Sequence, residues 1–407
     1  MSDADVIVIG GGPSGVAAAV ELRRHGVERV MLLDREPHLG GATRHCSHSP
    51  FGMREFGRVY FGAAYGRRLE SEAARAGVDV RTGHSVVRLL DGGRIDVTSE
   101  RGVGRLSARR LMIATGAREA PRSARLISGD RPVGVLTTGS LQSYVAFHGL
   151  MPFRRPVIVG SELVTLSAIA TCLSHGARPV AVVEPEPMAR VRAPLSWFPS
   201  VMGIPFRRGA ELIDIRGAAR VEDVTLRHRD GTLETLACDG VLLTGRFVPE
   251  SALLLQSRIG VDTGSAGPAI DQDGRSLDPL LFASGNVLRA VETGGWAFRE
   301  GRAIGRAIAE DLARDAGAAA PILVSHDPPI KLVVPSLLRR GANGSPALRE
   351  FQLRVTRRAQ GRLSLQLDGR DVWSTDGIWG PERRILVPMP LAATEAQTVH
   401  FRFQERV

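Results

Sequence analysis

Asp5-Val6-Ile7-Val8-Ile9-Gly10-Gly11-Gly12-Pro13-Ser14-Gly15 is the stretch that decides the fold. Five residues, four of them apolar, form a short buried strand, and the glycine turn opens a helix running to about Arg24. A second strand, Arg29 to Leu33, ends at Asp34, 24 residues beyond Gly10. Strand, turn, helix, strand and terminal acid make the opening of a doubly wound sheet. In that setting Gly10 allows the tight turn, Gly12 lets a pyrophosphate approach the backbone, and Gly15 lets helix and sheet pack closely. Pro13 and Ser14 start the helix, whose N-terminus attracts phosphate. Asp34 is placed to accept hydrogen bonds from a ribose.

The pattern recurs at Pro156-Val157-Ile158-Val159-Gly160, with a helix over Ser167–Ser174 and a strand over 179–183 ending at Glu184. Beyond about residue 318 the character changes. Phe351/Leu353/Val355, Leu363/Leu365/Leu367 and Val399/Phe401/Phe403 alternate apolar with polar, as half-buried antiparallel strands do. Gln360-Gly361 reads as a turn between the first two, and Asp315 to Pro321 as a linker. The fold class expected is α/β: two Rossmann-like dinucleotide-binding domains plus a small C-terminal all-β domain. The boundaries expected are 1–125 with 268–318, then 126–267, then 319–407.

Which dinucleotide the first turn holds is decided by later segments. Leu39-Gly40-Gly41 is a second glycine turn where a longer cofactor passes, and Ala114-Thr115-Gly116-Ala117-Arg118 follows another apolar strand. Leu281-Phe282-Ala283-Ser284-Gly285-Asn286 is a late return strand, followed by a helix from about Gly295 to Leu312. A simple NAD fold has no need of that return, so FAD is the reading. Arg35, Gly41, Val86, Ala114, Thr115, Gly116, Gly285 and Asn286 join Gly10, Gly12, Pro13, Ser14, Gly15 and Asp34 as cofactor candidates.

The second turn departs from the pattern, reading Gly160-Ser161-Glu162-Leu163-Val164-Thr165. Glu162 brings a carboxylate where a pyrophosphate needs bare backbone, and like charges about 4 Å apart repel by roughly 1 kcal/mol even in water. Thr165 adds bulk where helix and strand meet. NAD(P) binding is therefore doubtful.

Composition narrows the rest. Of 53 basic residues only Lys331 is lysine, and the arginines are scattered, so the net charge of +10 describes a solvated surface rather than a nucleic-acid footprint. No long apolar run suggests a membrane span, and the start of the chain lacks the features of a secretory signal, which makes the cytoplasm the expected location. Cys46, Cys172 and Cys238 are far apart, so neither a redox dithiol nor a metal site is expected.

The chain resembles the two-dinucleotide-domain flavoproteins related to glutathione reductase. More narrowly it is similar to the FAD subunits of hetero-oligomeric dehydrogenases (proline and hydroxyproline dehydrogenase, opine oxidase, hydrogen cyanide synthase) and to flavoproteins encoded beside anaerobic glycerol-3-phosphate dehydrogenase-like proteins. Gly40-Gly41, Arg44, Cys46, His48, Phe51-Gly52, Phe56 and Tyr65 carry it, with Ala114 to Arg122, Gly134 to Gly139, Leu281 to Val287 and Val333-Val334-Pro335. The resemblance implies a flavin electron-transfer role, and as partners a second flavoprotein subunit plus, in some cases, a small iron–sulfur subunit. Its usual aspartate on the ribityl chain is Asn286 here, whose amide can still donate and accept.

Near the chemistry, His45-Cys46-Ser47-His48 follows the Gly40-Gly41 turn. Cys46 and His48 are the catalytic candidates, the thiol activated by a neighbouring histidine; the competing reading makes them a buried small side chain and a turn residue. Arg44 is a candidate clamp for a substrate carboxylate or a cofactor phosphate. Trp296 and Phe298 either border the flavin or pack helix on sheet. Three roles follow: a flavin subunit that oxidises an amine, imino acid or hydroxy acid; a self-contained NAD(P)H-dependent reductase; or a non-catalytic scaffold.

Overall fold

The computed structural model describes every residue except 1, 49, 315–318, 341–345, 382 and 407. Most of the linker read over Asp315–Pro321 thus lies outside the described residues.

The first sheet is parallel in the order Asp79–Arg81, Val30–Leu33, Ala4–Ile9, Gly102–Ile113, Leu281–Ala283. Its central strands are apolar on both sides: Val6, Val8 and Leu32 share a core with the helices, while Ile7, Ile9, Met31 and Leu33 share one with Leu89, Ile95 and Val97 of two antiparallel strands on the other face. The helix Pro13–Arg24 meets the long helix Gly294–Arg314 at Ser14 and Ala18, opposite Gly301 and Gly305, and its Val16, Ala17, Val20 and Leu22 share one core with Ile304 and Ile308. The front half of Gly102–Ile113 belongs to an antiparallel meander with Ser85–Leu90 and Arg94–Ser99.

The second sheet repeats the plan: Phe206–Arg208, Ala181–Glu184, Pro156–Val159, Gly240–Leu243, Val135–Thr137, all parallel, with its own meander of Ala210–Arg216, Asp223–His228 and Leu233–Ala237. The helix after the second turn starts at Leu163, a turn earlier than Ser167 suggested. Two short antiparallel strands, Ala117–Glu119 and Phe247–Pro249, carry the chain out of the first unit and back.

The remaining strands form a sheet of five and a sheet of three over a core of Phe351, Leu353, Leu363, Leu365 and Phe401. Three details differ from the expectation. Pro321–His326 pairs in parallel with Val399–Glu405, so this unit is not wholly antiparallel. Gln360-Gly361 lies inside the strand Ala359–Leu367 rather than in a turn. Gly361 is needed there because a Cβ would run into the Gln404 carbonyl of the neighbouring strand. Finally, Glu350–Val355 is buried on both faces; its polar side, Gln352 and Arg354, is turned onto the first unit.

Candidate flavin site and the second crevice

The first turn is built from close approaches. A Cβ on Gly15 would collide with the Gly10 carbonyl oxygen, and Gly10 itself has φ +110°. A Cβ on Gly12, by contrast, would meet nothing within 4 Å, so the helix N-terminus faces open space. Pro13 occupies the first helical turn, no acidic residue lies in that turn, and no side chain caps it. Its free N–H groups and dipole are left to an external anion. Ser14 is spoken for: its hydroxyl is 2.5 Å from that of Ser284.

Asp34 is buried at the end of its strand and accepts from the amide N–H of Gly11 (2.6 Å) and of Glu36 (2.8 Å). Burial pushes its carboxyl above the usual range, against the pull of those two donors. Arg35 points to solvent beside Glu36, 3.8 Å away. Gly41 comes up against the first turn, where a Cβ on it would lie 3.1 Å from Gly12 Cα, and Gly40 N–H donates to the Gly11 carbonyl at 2.8 Å. The two glycine turns thus form one surface. Val86 is half-buried on Ser85–Leu90.

Ala114 continues the strand through its N–H to Ile9 O (2.8 Å), and Thr115 donates its hydroxyl to Glu250 O (2.8 Å), tying down the returning segment. Gly116 has φ +76° and accepts from Glu250 N–H at 2.9 Å. Gly285 has φ +81°, and a Cβ there would be 2.8 Å from Ser14 Cβ, so the return strand closes directly on the first turn. Gly285 N–H donates to Glu300 Oε1 (2.7 Å). Asn286 turns its amide inward, accepting from Glu292 N–H (2.8 Å) and donating to Glu292 O (3.2 Å).

The turns of the first sheet therefore suit a dinucleotide: bare backbone, an unfilled helix N-terminus and a strand-end carboxylate within one crevice at the carboxyl ends of the strands.

Arg44 is held between an ion pair with Glu36 (3.8 Å) and the ring of Phe147 (4.7 Å). Cys46 Sγ lies 3.4 Å from Ala42 O and 4.0 Å from Gln142 Oε1. Burial raises its thiol to about 11, which works against the activated-thiolate reading. His48 stacks on Phe51 with centroids 5.2 Å apart. His45 is pushed down to about 4 by burial and by the adjacent Arg44. Trp296 lies beneath the Arg384 guanidinium (3.6 Å), and Phe298 packs into the first core against Phe56. Among the described residues no cluster of three or more His, Cys, Asp or Glu is arranged for a metal, and no helix is long and apolar enough to cross a membrane.

The second crevice is filled from within. The Glu162 carboxylate sits against Gly245, where a Cβ would strike it, with Oε2 3.2 Å from Thr244 Oγ1 and Oε1 3.8 Å from Arg190 Nε. Arg125, bonded to the carbonyls of Thr244 and Gly245 at 2.9 and 2.8 Å, adds positive charge beside it. Thr165 donates to Gly160 O (3.1 Å) and meets Thr244 Oγ1 at 2.9 Å. Glu184, the strand-end acid, is occupied by the Ser161 hydroxyl (2.5 Å) and Arg190 (3.7 Å). The chain supplies its own carboxylate in this crevice.

Buried charges that sequence reasoning missed surround Gly285 and Asn286: Arg289, Glu292 and Glu300. One signal was present, since Glu300 falls in the apolar stripe Ala297/Gly301/Ile304/Ile308 of its helix.

Residues 4–301 match the profile of the family described as "Pyridine nucleotide-disulphide oxidoreductase". The chain belongs to that family, which places it among FAD-dependent oxidoreductases. It is 29% identical over 205 residues to one of the opine oxidase subunits of Rhizobium meliloti (strain 1021), covering 50% of this chain and 43% of that protein. It is 28% identical over 342 residues to the alpha subunit of sarcosine oxidase from the same organism, covering 78% of this chain and 31% of the relative. It thus spans less than half the length of either relative. Among solved structures, the bacillithiol disulfide reductase of Bacillus cereus superposes with a TM-score of 0.63 at 21% identity, over 77% of this chain and 99% of that one. The thioredoxin reductase of T. acidophilum gives 0.62 at 21%, over 76% and 98%. At that identity the likeness concerns the fold.

Proposed function

We propose that this chain is the electron-transfer FAD subunit of a multi-subunit dehydrogenase that oxidises an amine, imino acid or hydroxy acid. The observation that carries the reading is Glu162. Its carboxylate occupies the second crevice between Thr244, Gly245 and Arg190, so NAD(P)H has no bare turn to bind. Electrons then enter and leave through a substrate-bearing or acceptor partner.

The cofactor is assigned to residues 1–125 and 268–318, with 126–267 as an unloaded second unit and 319–407 as the β unit. Gly12 and the N-terminus opened by Pro13 and Ser14 receive the pyrophosphate. Asp34 receives a ribose, and the surface of Gly41, Ala114 to Gly116 and Gly285-Asn286 faces the flavin half. Bound FAD supplies two-electron redox chemistry that side chains lack. The protein orients it, while Cys46 and His45 stay uncharged near neutral pH. The relatives named as subunits, of opine oxidase and sarcosine oxidase, support a partner chain; a second flavoprotein is the first candidate for it and an iron–sulfur protein a further one.

The test is purification from the native host with a tag on this chain, followed by anaerobic titration. Co-purification of a second flavoprotein, with flavin that substrate bleaches and NADH or NADPH does not, is the expected result. A homo-oligomer whose flavin is bleached by NADH within seconds overturns the reading.

A further inference from the structure

The strand Glu350–Val355 shows the alternation of a half-buried strand, yet both of its faces are buried. Phe351, Leu353 and Val355 fill the core of the C-terminal β unit. Gln352 and Arg354, on the opposite face, are 3% and 8% exposed. They are covered by the loop that follows Gly285 and Asn286.

Two chains of bonds lead from this strand to those two residues. In one, Gln352 Oε1 accepts from Arg289 Nε (2.9 Å), Arg289 Nη2 pairs with Glu300 Oε2, and Glu300 Oε1 accepts from Gly285 N–H (2.7 Å). In the other, Arg354 donates to Ala290 O (2.6 Å), Val291 O (3.0 Å) and Glu292 Oε1 (2.8 Å). The Glu292 backbone in turn holds the Asn286 amide at both ends. Arg384, from outside that strand but in the same unit, also pairs with Glu292.

The loop is not at rest in this shape. Val291 has φ +72°, a left-handed conformation that a β-branched side chain adopts only when its surroundings impose it. Buried charge-assisted bonds from Arg354 on both sides of Val291 provide that imposition.

We propose that the C-terminal β unit is a clamp on the FAD loop, with Gln352 and Arg354 as positioning residues that fix the backbone turn at Gly285 and Asn286 against which the cofactor lies. This rests on the reading that Gly285 and Asn286 face FAD. The clamp makes cofactor retention depend on how the β unit is seated.

The test titrates FAD into apoprotein of the full chain, reads Kd from flavin fluorescence, and follows the thermal midpoint of each apoprotein. Gln352→Leu removes one acceptor and no charge, and it weakens FAD binding roughly tenfold, the weight of one buried bond to a charged group. Gln352→Glu restores binding to within about twofold, because a carboxylate accepts from Arg289 in the same place. Gly285→Ala, forced against Ser14, weakens binding at least as much as Gln352→Leu. Ile385→Val, in the core of the β unit, lowers the thermal midpoint and leaves Kd unchanged.

A wild-type Kd for Gln352→Leu beside a weakened Gly285→Ala overturns the clamp and leaves the reading of the loop standing. A wild-type Kd for both overturns the reading and the clamp with it. A loss in Ile385→Val equal to that in Gln352→Leu, or no rescue by Gln352→Glu, reduces the effect to general destabilisation and also overturns the clamp.

Discussion

Each of the two parallel sheets carries a strand–turn–helix unit, and the differences that matter fall at the third and sixth positions of the turn. At the third, Gly12 leaves the helix N-terminus open, whereas Glu162 folds its carboxylate onto Gly245 between Thr244 and Arg190. At the sixth, Gly15 packs so tightly on Gly10 that no side chain fits, whereas Thr165 hydrogen-bonds to Gly160 across a wider gap. The scaffold survives both solutions. A glycine turn can thus be filled from within the chain, a carboxylate bonding across the crevice to Thr244 and a hydroxyl bridging helix and strand where a glycine would pack.

Copying the second turn into the first gives the largest expected effect. Gly12→Glu has room to fold, so the apoprotein melts near the wild type, but FAD affinity falls by roughly a hundredfold or more, about 3 kcal/mol of repulsion and lost pyrophosphate contact. An unchanged flavin content on purification would show that the cofactor lies elsewhere. Opening the second turn is the converse. Glu162→Gly still gives no bleaching by NADH, because Thr165 keeps helix and strand apart and Glu184 stays engaged with Ser161 and Arg190. Rapid anaerobic reduction in that variant would make Glu162 the sole barrier.

A smaller effect is expected from Asp34→Asn. It keeps the shape and removes the charge, so Kd for FAD rises about tenfold, as for one hydrogen bond to a charged group. Isothermal titration of the apoprotein measures it. The corresponding change at the second strand end, Glu184→Gln, leaves FAD binding untouched and disturbs only the contacts to Ser161 and Arg190.

The smallest effect concerns the seam between the units, where His45 approaches Phe147 edge-on at 6.3 Å. Its folded-state pKa of about 4 lies below the ordinary 6.5, so between those values the unfolded chain binds the extra proton. Stability is lost as pH falls through that window. Asp271, raised to about 6 by burial, acts in the opposite sense below pH 6. The readout is therefore a difference: denaturant midpoints of His45→Asn minus wild type rise as pH drops from 6.5 to 4. A flat difference would place His45 in water.

The features legible in the sequence were those whose cause is local. A strand, a glycine turn and a helix are encoded within about twenty residues, so both turns and the damage at Glu162 could be read directly. What escaped depends on partners far along the chain. Gln352 and Arg354 read as the wet face of a strand because nothing nearby reveals Arg289 or the loop at Ala290–Glu292. The environment of Cys46 is completed by Gln142 from the helix Thr138–His148 of the other unit. Gln360-Gly361 has turn chemistry, but Gly361 serves the close approach of Gln404 instead. The parallel pairing of Pro321–His326 with Val399–Glu405 joins residues some 75 apart.

The place of Leu281–Ala283 in the first sheet has a consequence for biosynthesis. This strand lies beside Gly102–Ile113, and 167 residues separate Ile113 from Leu281. At 5–20 residues per second the ribosome takes roughly 10–30 s to cross that interval. Throughout it the first helix lacks its packing partner Gly294–Arg314, and Gly285 is not yet made. The intervening unit, complete in its own sheet, is free to fold meanwhile. The flavin crevice proposed at Gly12 and Gly285 can therefore be completed only after the chain of the second unit has been made, so the cofactor would act as a finishing piece rather than a nucleus.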